Sequence, residues 1–176
     1  MKPVKLLVLD VDGTLTDGGL YLSEAGETLK RFHAQDGLGI VLAAHVGLRV
    51  AWITGRESAI VQRRAEALGV AVVRQGVRDK TAALLEIGLE LGVPLSEMAF
   101  MGDDLNDLPA MQAVGLALAP ADAVESVRSM AHWVSNRNGG QGAVREAIDA
   151  ILTVRGDRGL AEKLYLASLE ASGVVQ

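Results

Sequence analysis

The chain contains no cysteine. That excludes a disulfide framework, a thiolate zinc site and a cysteine nucleophile. Aromatic residues make up only 3% of the 176 residues, so a core of the size this length permits must be built mainly from aliphatic side chains. Long basic runs are missing as well. With a net charge of −5 and no clustered Lys and Arg, the sequence offers no electrostatic footprint for nucleic acid. No stretch approaches the roughly 20 apolar residues that a membrane-spanning helix needs, which leaves a cytoplasmic protein with no membrane partner as the default expectation. The opening run Met1 to Leu9 faintly resembles a signal peptide, but Asp10 and Asp12 cut its apolar stretch short, and it reads better as a buried strand.

What is present fits a packed globular protein. The hydrophobic fraction is 49% and the charged fraction 22%, which argues against wholesale disorder and for one domain over residues 1–176. An anionic substrate can bind such an acidic chain only where a metal ion or a few cations overcome the overall field.

Short β-rich apolar runs recur at Lys5 to Val11, Leu48 to Ile53, Val70 to Val73, Met98 to Met101 and Gly115 to Leu118. Helical patterns lie between most of them. Residues 57–68 place Ile60, Val61, Ala65 and Leu68 on one side, with Gly69 as a C-terminal stop. Residues 79–91 repeat the logic, with Asp79 as N-cap and Gly92-Val93-Pro94 as terminator. Strands alternating with crossover helices predict a doubly wound, mainly parallel α/β sheet with helices on both faces. One segment departs from that alternation. Leu15 to Phe32 reads as a β-hairpin with its turn near Gly26, too short to be a domain. The last stretch, residues 156–176, reads as a further helix with a loose end.

In a doubly wound sheet, ligands bind beyond the carboxyl ends of the strands. The first strand delivers Asp10-Val11-Asp12-Gly13-Thr14 to that edge, with Gly13 permitting a tight turn. An EF-hand would need Gly at loop position six and an acidic ligand at position twelve; Leu15 and Tyr21 stand there, so that alternative fails. The next strand ends in Ile53-Thr54-Gly55-Arg56, a hydroxyl and a flexible turn suited to an anion at a helix N-terminus. Lys80 opens the helix after Asp79, a poor place for a cation relative to the helix dipole unless it reaches a phosphate. Met98 to Met101 ends in Gly102-Asp103-Asp104-Leu105-Asn106-Asp107. Capping accounts for Asp107 but leaves Asp103 and Asp104 together, and like charges so close call for a cation or hydrogen bonds. A divalent metal with hard oxygen ligands, Mg²⁺ above all, is the economical choice.

This ordered set resembles the four motifs of the haloacid dehalogenase-like phosphatases: a DxDG[T/V] loop, a Ser or Thr after the second strand, a Lys, and a GDDxxD-type acidic loop. The resemblance implies a covalent mechanism. Asp10 would be the nucleophile and Asp12 the general acid and then base, with Thr54, Gly55 and Lys80 on the phosphoryl group. Mg²⁺ would sit on Asp10, Asp103 and the Asp12 carbonyl, supported by Asp104, Asn106 and Asp107.

From Val4 to Arg155 the chain is similar to the capless branch typified by 3-deoxy-D-manno-octulosonate 8-phosphate (Kdo 8-phosphate) phosphatases. The shared features are Leu15-Thr16-Asp17-Gly18-Gly19, the hairpin in place of a cap, the run Phe32 to Gly37, and Gly139-Gly140-Gln141-Gly142-Ala143-Val144-Arg145-Glu146. That branch implies a phosphorylated sugar acid as substrate and a homotetramer whose neighbouring hairpin or C-terminal tail closes the site. Relatives acting on the nine-carbon sugar acid KDN carry Glu where this chain has Arg56. Arg56 and Arg64 are therefore candidate partners for a sugar-acid carboxylate. Arg64 equally suits the solvent face of its helix, and Gly139 to Gly142 equally suits a turn before a helix. The alternatives are a phosphatase for KDN or N-acylneuraminate 9-phosphate or another small metabolite, and a noncatalytic regulatory module that keeps the fold and metal site.

Overall fold

A computed structural model of the chain describes residues 3–171. The main sheet is built from β1 (Leu6–Leu9), β4 (Arg49–Ile53), β5 (Val72–Arg74), β6 (Met98–Met101), β7 (Leu116–Ala119) and β8 (Trp133–Val134). Its order is β5-β4-β1-β6-β7-β8, and every neighbouring pair runs parallel. β1 is central and buried on both faces, so it needs no polar side: Leu6 and Val8 enter one apolar cluster, Leu7 and Leu9 the other. Each such side chain contributes about 1.5–3 kcal/mol on burial.

On the Leu7–Leu9 face pack α1 (Ala34–His45), α2 (Ala59–Leu68), α6 (Ala143–Arg155) and α7 (Arg158–Ala171). On the opposite face lie α3 (Lys80–Leu91), α4 (Leu108–Ala113) and α5 (Glu125–Met130). The expected doubly wound α/β architecture is therefore present. The predicted helix stops hold: Gly69 and Gly92 take the left-handed conformation, with φ of 66° and 64°, that a C-terminal cap favours. Asp79 caps α3 as expected, accepting from the Thr81 and Ala82 N–H groups at 3.0 Å each. β8 has only two residues, too short for its pattern to announce a strand. The expected C-terminal helix is α7; the loose end anticipated after it lies, from 172 on, outside the described residues.

The hairpin is a separate two-stranded sheet of β2 (Tyr21–Ser23) and β3 (Gly26–Leu29), tied back to the body by a bridge between Thr16 and Phe32. Leu20, Leu22 and Leu29 are exposed on it, Leu22 at 63%. Phe32 stacks on Trp52 at a centroid distance of 6.1 Å, which anchors the hairpin's exit to the sheet. Among the described residues, no larger cap is inserted, and no helix is long and apolar enough to cross a membrane.

Asp36, 1% exposed in the first turn of α1, reaches 106 residues along the chain to cap α6. Its carboxylate accepts from the Gly142 N–H at 3.2 Å and the Arg145 N–H at 2.7 Å. Burial pushes its pKa up, against those two hydrogen bonds and the charges of His33 and Arg137. A carboxyl raised in the folded state holds its proton more tightly there than in the unfolded chain. Its contribution is present below the ordinary carboxylate value and is lost as pH rises through the raised one. Asp36→Ala is expected to cost about 2 kcal/mol in urea unfolding at neutral pH by orphaning the buried Gly142 N–H and the part-buried Arg145 N–H. Asp36→Asn is expected to flatten the loss of stability with rising pH in mild acid, and an unchanged profile would contradict this.

Candidate active site

β1 ends at Leu9, level with Trp52 on β4 and Met101 on β6. This register brings Asp10, Thr54 and Asp103, which follow those strands, to one edge of the sheet. Asp10 is 5% exposed, and its N–H donates to the Met101 carbonyl at 2.9 Å, which fixes the backbone as the chain leaves the strand. The loop then turns at Gly13, with φ of 98°. A methyl group at Gly13 would stand 2.1 Å from Asp103 Oδ2, so glycine is what lets the β6 loop close against the β1 loop. Thr14, fully buried, donates its hydroxyl to Asp103 Oδ1 at 3.0 Å.

Lys80, 4% exposed, explains its awkward place at the start of α3 by where its ammonium goes. Nζ donates to Asp10 Oδ1 at 2.5 Å and to Asp107 Oδ1. Asp107 is buried rather than simply capping α4. Its other oxygen, Oδ2, accepts from the Asp103 and Asp104 N–H groups at 2.9 and 3.2 Å. Gly102 has no room for a side chain, since a methyl there would meet Asp107 Cγ at 2.4 Å. The capping role expected for Asp107 is shared with Asp104, whose exposed carboxylate accepts from the Leu105 N–H at 2.7 Å. Asn106 is also exposed.

Carboxylate oxygens of Asp10, Asp103 and Asp107 lie within 4.8 Å of one another. Burial first, opposed by Lys80 and reinforced by Asp107, raises the Asp10 pKa well above the ordinary value. Burial and then the Asp107 charge push Asp103 up to about 6. Three hard, converging oxygen donors with one lysine between them are a donor set that a divalent cation fits, since its charge offsets a repulsion that Lys80 alone meets only in part.

Asp12 points elsewhere. Its Oδ1 accepts from Nζ of Lys30, the residue just after β3, and Lys30 also pairs with Glu27 Oε1 at 2.9 Å. Glu27 in turn accepts from the Ser58 hydroxyl. Lys30, Glu27 and Ser58 were not singled out by sequence; only the hairpin's register, which folds Lys30 back onto a residue 18 positions earlier, discloses them.

Thr54 and Gly55 do not abut the helix N-terminus that the sequence suggested for them. α2 begins at Ala59 and is capped by Ser58, whose Oγ accepts from the Val61 N–H at 3.4 Å. Thr54 is buried, and its Oγ1 closes a turn by accepting from the Arg56 N–H at 3.2 Å. Arg56 is exposed on that turn, and its charge acts on Glu27. Arg64 is half-buried, its guanidinium 6.0 Å from the centroid of the Phe32 ring. A methyl at Gly37 would come within 2.4 Å of Arg64 Nη2, so α1 gives way to this arginine.

The glycine run 139–142 resolves into a close packing of loops. A methyl at Gly139 would lie 1.7 Å from the Gly13 carbonyl oxygen, and one at Gly140 would lie 2.4 Å from the Asp17 nitrogen. The Gly140 N–H donates to the Thr14 carbonyl at 3.0 Å, and the Gly139 N–H to Asp122 Oδ1 at 2.8 Å. Asp122 thereby holds a loop that braces the Asp10–Thr14 segment from behind.

Residues 57–148 match the family model for haloacid dehalogenase-like hydrolases. The chain is 41% identical over 153 residues to the 3-deoxy-D-manno-octulosonate 8-phosphate phosphatase of Salmonella typhi, covering 87% of this chain and 81% of that one. The chain belongs to the haloacid dehalogenase-like hydrolase family. This hydrolase also superposes on solved members. The cobalt-bound deoxy-D-mannose-octulosonate 8-phosphate phosphatase of Haemophilus influenzae matches with a TM-score of 0.89 and 38% identity, over 93% of this hydrolase and 96% of that chain. The octulosonate 8-phosphate phosphatase of Moraxella catarrhalis, solved with magnesium, phosphate and KDO, matches with a TM-score of 0.87 and 37% identity over 94% and 93% of the two chains.

Proposed function

We propose that this hydrolase is a Mg²⁺-dependent phosphomonoesterase that converts 3-deoxy-D-manno-octulosonate 8-phosphate to Kdo and inorganic phosphate. The observation that carries the reading is the meeting of Asp10, Asp103 and Asp107, which follow the adjacent strands β1 and β6, with Lys80 from the start of α3. The octulosonate phosphatases of similar sequence and fold support the substrate.

An Asp10 oxygen attacks phosphorus, forming an aspartyl phosphate as the bond from phosphorus to the sugar oxygen breaks. Asp12 gives that oxygen a proton as it leaves, then takes one from the water that attacks the intermediate and frees phosphate. Lys80 and the Thr54 hydroxyl offset the negative charge on the phosphoryl oxygens. The carboxylates of Asp10 and Asp103 and the Asp12 carbonyl would hold Mg²⁺, with Asp107 beside them and Asp104 and Asn106 on the same loop. Bound there, the ion supplies positive charge to the transferring group and counters the chain's net negative field. Arg56, exposed beside Thr54, would be the partner of the sugar-acid carboxylate, with Arg64 of α2 as the second candidate.

The exposed leucines of the hairpin fit a homotetramer in which hairpins of neighbouring subunits cover one another and close the sites, since a lone two-stranded hairpin is marginal in water.

A panel of sugar, nucleotide and small-acid phosphates tests the function, with kcat/KM measured with and without Mg²⁺. Kdo 8-phosphate is expected to exceed unrelated phosphomonoesters by at least about 100-fold, and chelation to abolish turnover. Light scattering on the same sample is expected to give the tetramer mass. Comparable turnover across the panel would overturn the substrate, no turnover of any member would favour the regulatory module, and a monomer would remove the shared closure.

A further inference from the structure

Lys30 lies outside the machinery assigned above, yet its side chain is only 2% exposed and its ammonium sits between two carboxylates, Asp12 and Glu27. Burying an ammonium is costly, and an apolar residue of the same reach would hold a hairpin to the body at least as well. A lysine here makes sense through what it holds. One Asp12 oxygen, Oδ1, is the acceptor. Glu27 takes the Lys30 ammonium on Oε1 and the Ser58 hydroxyl on Oε2. Ser58 also caps α2, and its N–H donates to Gln75 Oε1 at 2.7 Å, at the turn after β5. Lys30 is thereby referenced to the loop that carries Thr54 and Arg56.

We propose that Lys30 is a positioning residue for the reaction: it holds the Asp12 carboxylate by one oxygen so that the other faces the departing sugar oxygen, with Glu27 and Ser58 fixing Lys30 in place. The hairpin is then part of the chemistry as well as a cover for the site. Lys30 never touches the substrate in this account. Its effect passes through Asp12, on the step in which a proton reaches the leaving group, and this rests on the reading of Asp12 as that acid.

An alkoxide leaves badly without a proton, whereas p-nitrophenolate leaves unaided, so the two substrates separate loss of the acid from general damage. kcat/KM reports the steps through departure of the leaving group. With Mg²⁺ present, Lys30→Met is expected to lose about 100-fold in kcat/KM on Kdo 8-phosphate and less than about 5-fold on p-nitrophenyl phosphate, with the loss in kcat and not in KM. Asp12→Asn is expected to show the same selectivity more strongly, and Lys30→Arg to recover part of the loss. Equal losses on both substrates, a loss confined to KM, or parent-like turnover by Lys30→Met would overturn the proposal. Parent-like alkyl turnover by Asp12→Asn would remove the acid itself and the proposal with it. An impaired Asp12→Asn beside an unimpaired Lys30→Met would remove Lys30 alone. If Lys30→Met fails to fold, Glu27→Gln carries the test, with an expected loss of about 10-fold on the alkyl substrate only.

Discussion

Asp10→Asn is expected to lower turnover of Kdo 8-phosphate by on the order of 10⁵-fold while leaving the protein folded. The substitution keeps the shape of the side chain but replaces the attacking oxygen by an amide whose lone pair is delocalised. No neighbour is placed to take over: Asp103 is engaged by the Thr14 hydroxyl, and Asp107 spends one oxygen on Lys80 and the other on two backbone N–H groups. The folded state tolerates the change because it removes a buried charge that burial and Asp107 already disfavour, and Lys80 keeps Asp107 as its partner. The melting temperature of the metal-free variant should therefore stay within about 5 °C of the parent, since roughly 1 kcal/mol corresponds to 2–4 °C at this size. Retained turnover would take the nucleophile's role from Asp10.

Gly139→Ala is expected to damage the site from outside it. The added methyl would lie 1.7 Å from the Gly13 carbonyl oxygen, and both partners in that clash are backbone, so no side chain can swing away to relieve it. Either the 139–142 loop backs off, breaking the bond from Gly140 N–H to the Thr14 carbonyl, or the Asp12–Thr14 segment moves. The first costs about 3 kcal/mol of stability, at the upper end for overpacking. The second shifts Asp12 and loosens the Thr14–Asp103 bond, and a displacement near 1 Å lowers kcat by about 100-fold. Both should be read together, by thermal unfolding and steady-state kinetics. Gly159→Ala is the control: it sits on α7 with nothing within 4 Å of the added methyl, and should leave activity unchanged. A Gly139→Ala variant with parent-like stability and kcat would mean that the two loops are not packed together.

Much of this frame was readable from residue pattern. Apolar strands without a polar side, separated by helices closed by Gly69 and Gly92, define a parallel sheet covered on both faces. Once the strands are parallel, the residues after them must share an edge, so Asp10, Thr54 and Asp103 come together without any tertiary information. Lys80 was legible because a cation at a helix start runs against the dipole, a local conflict with a distant cause.

What escaped is what depends on long-range registration. Lys30 meets Asp12 only because the hairpin turns at Glu24-Ala25 and returns in a particular register. Asp36 meets the start of α6 across 106 residues, and nothing in the sequence around either end hints at the other. The acidic run 103–107 showed that charge had to be compensated but not which carboxylate turned inward. A 3₁₀ turn at Leu105–Asp107 sends Asp107 to Lys80 and leaves Asp104 and Asn106 at the surface. Thr54 was misplaced for a similar reason. The pattern put a helix start directly after Thr54-Gly55, whereas α2 begins at Ala59 and is capped by Ser58, four residues beyond Thr54.

The central claim, that Asp10 carries the phosphoryl group, is tested most directly by quenching the enzyme during turnover of Kdo 8-phosphate, reducing the acyl phosphate with borohydride and mapping the product by peptide mass spectrometry. The account predicts homoserine at position 10 in the parent, only when substrate and Mg²⁺ are both present. Turnover with aspartate intact at that position, or with the reduced residue at Asp12, Asp103 or Asp107, would contradict it.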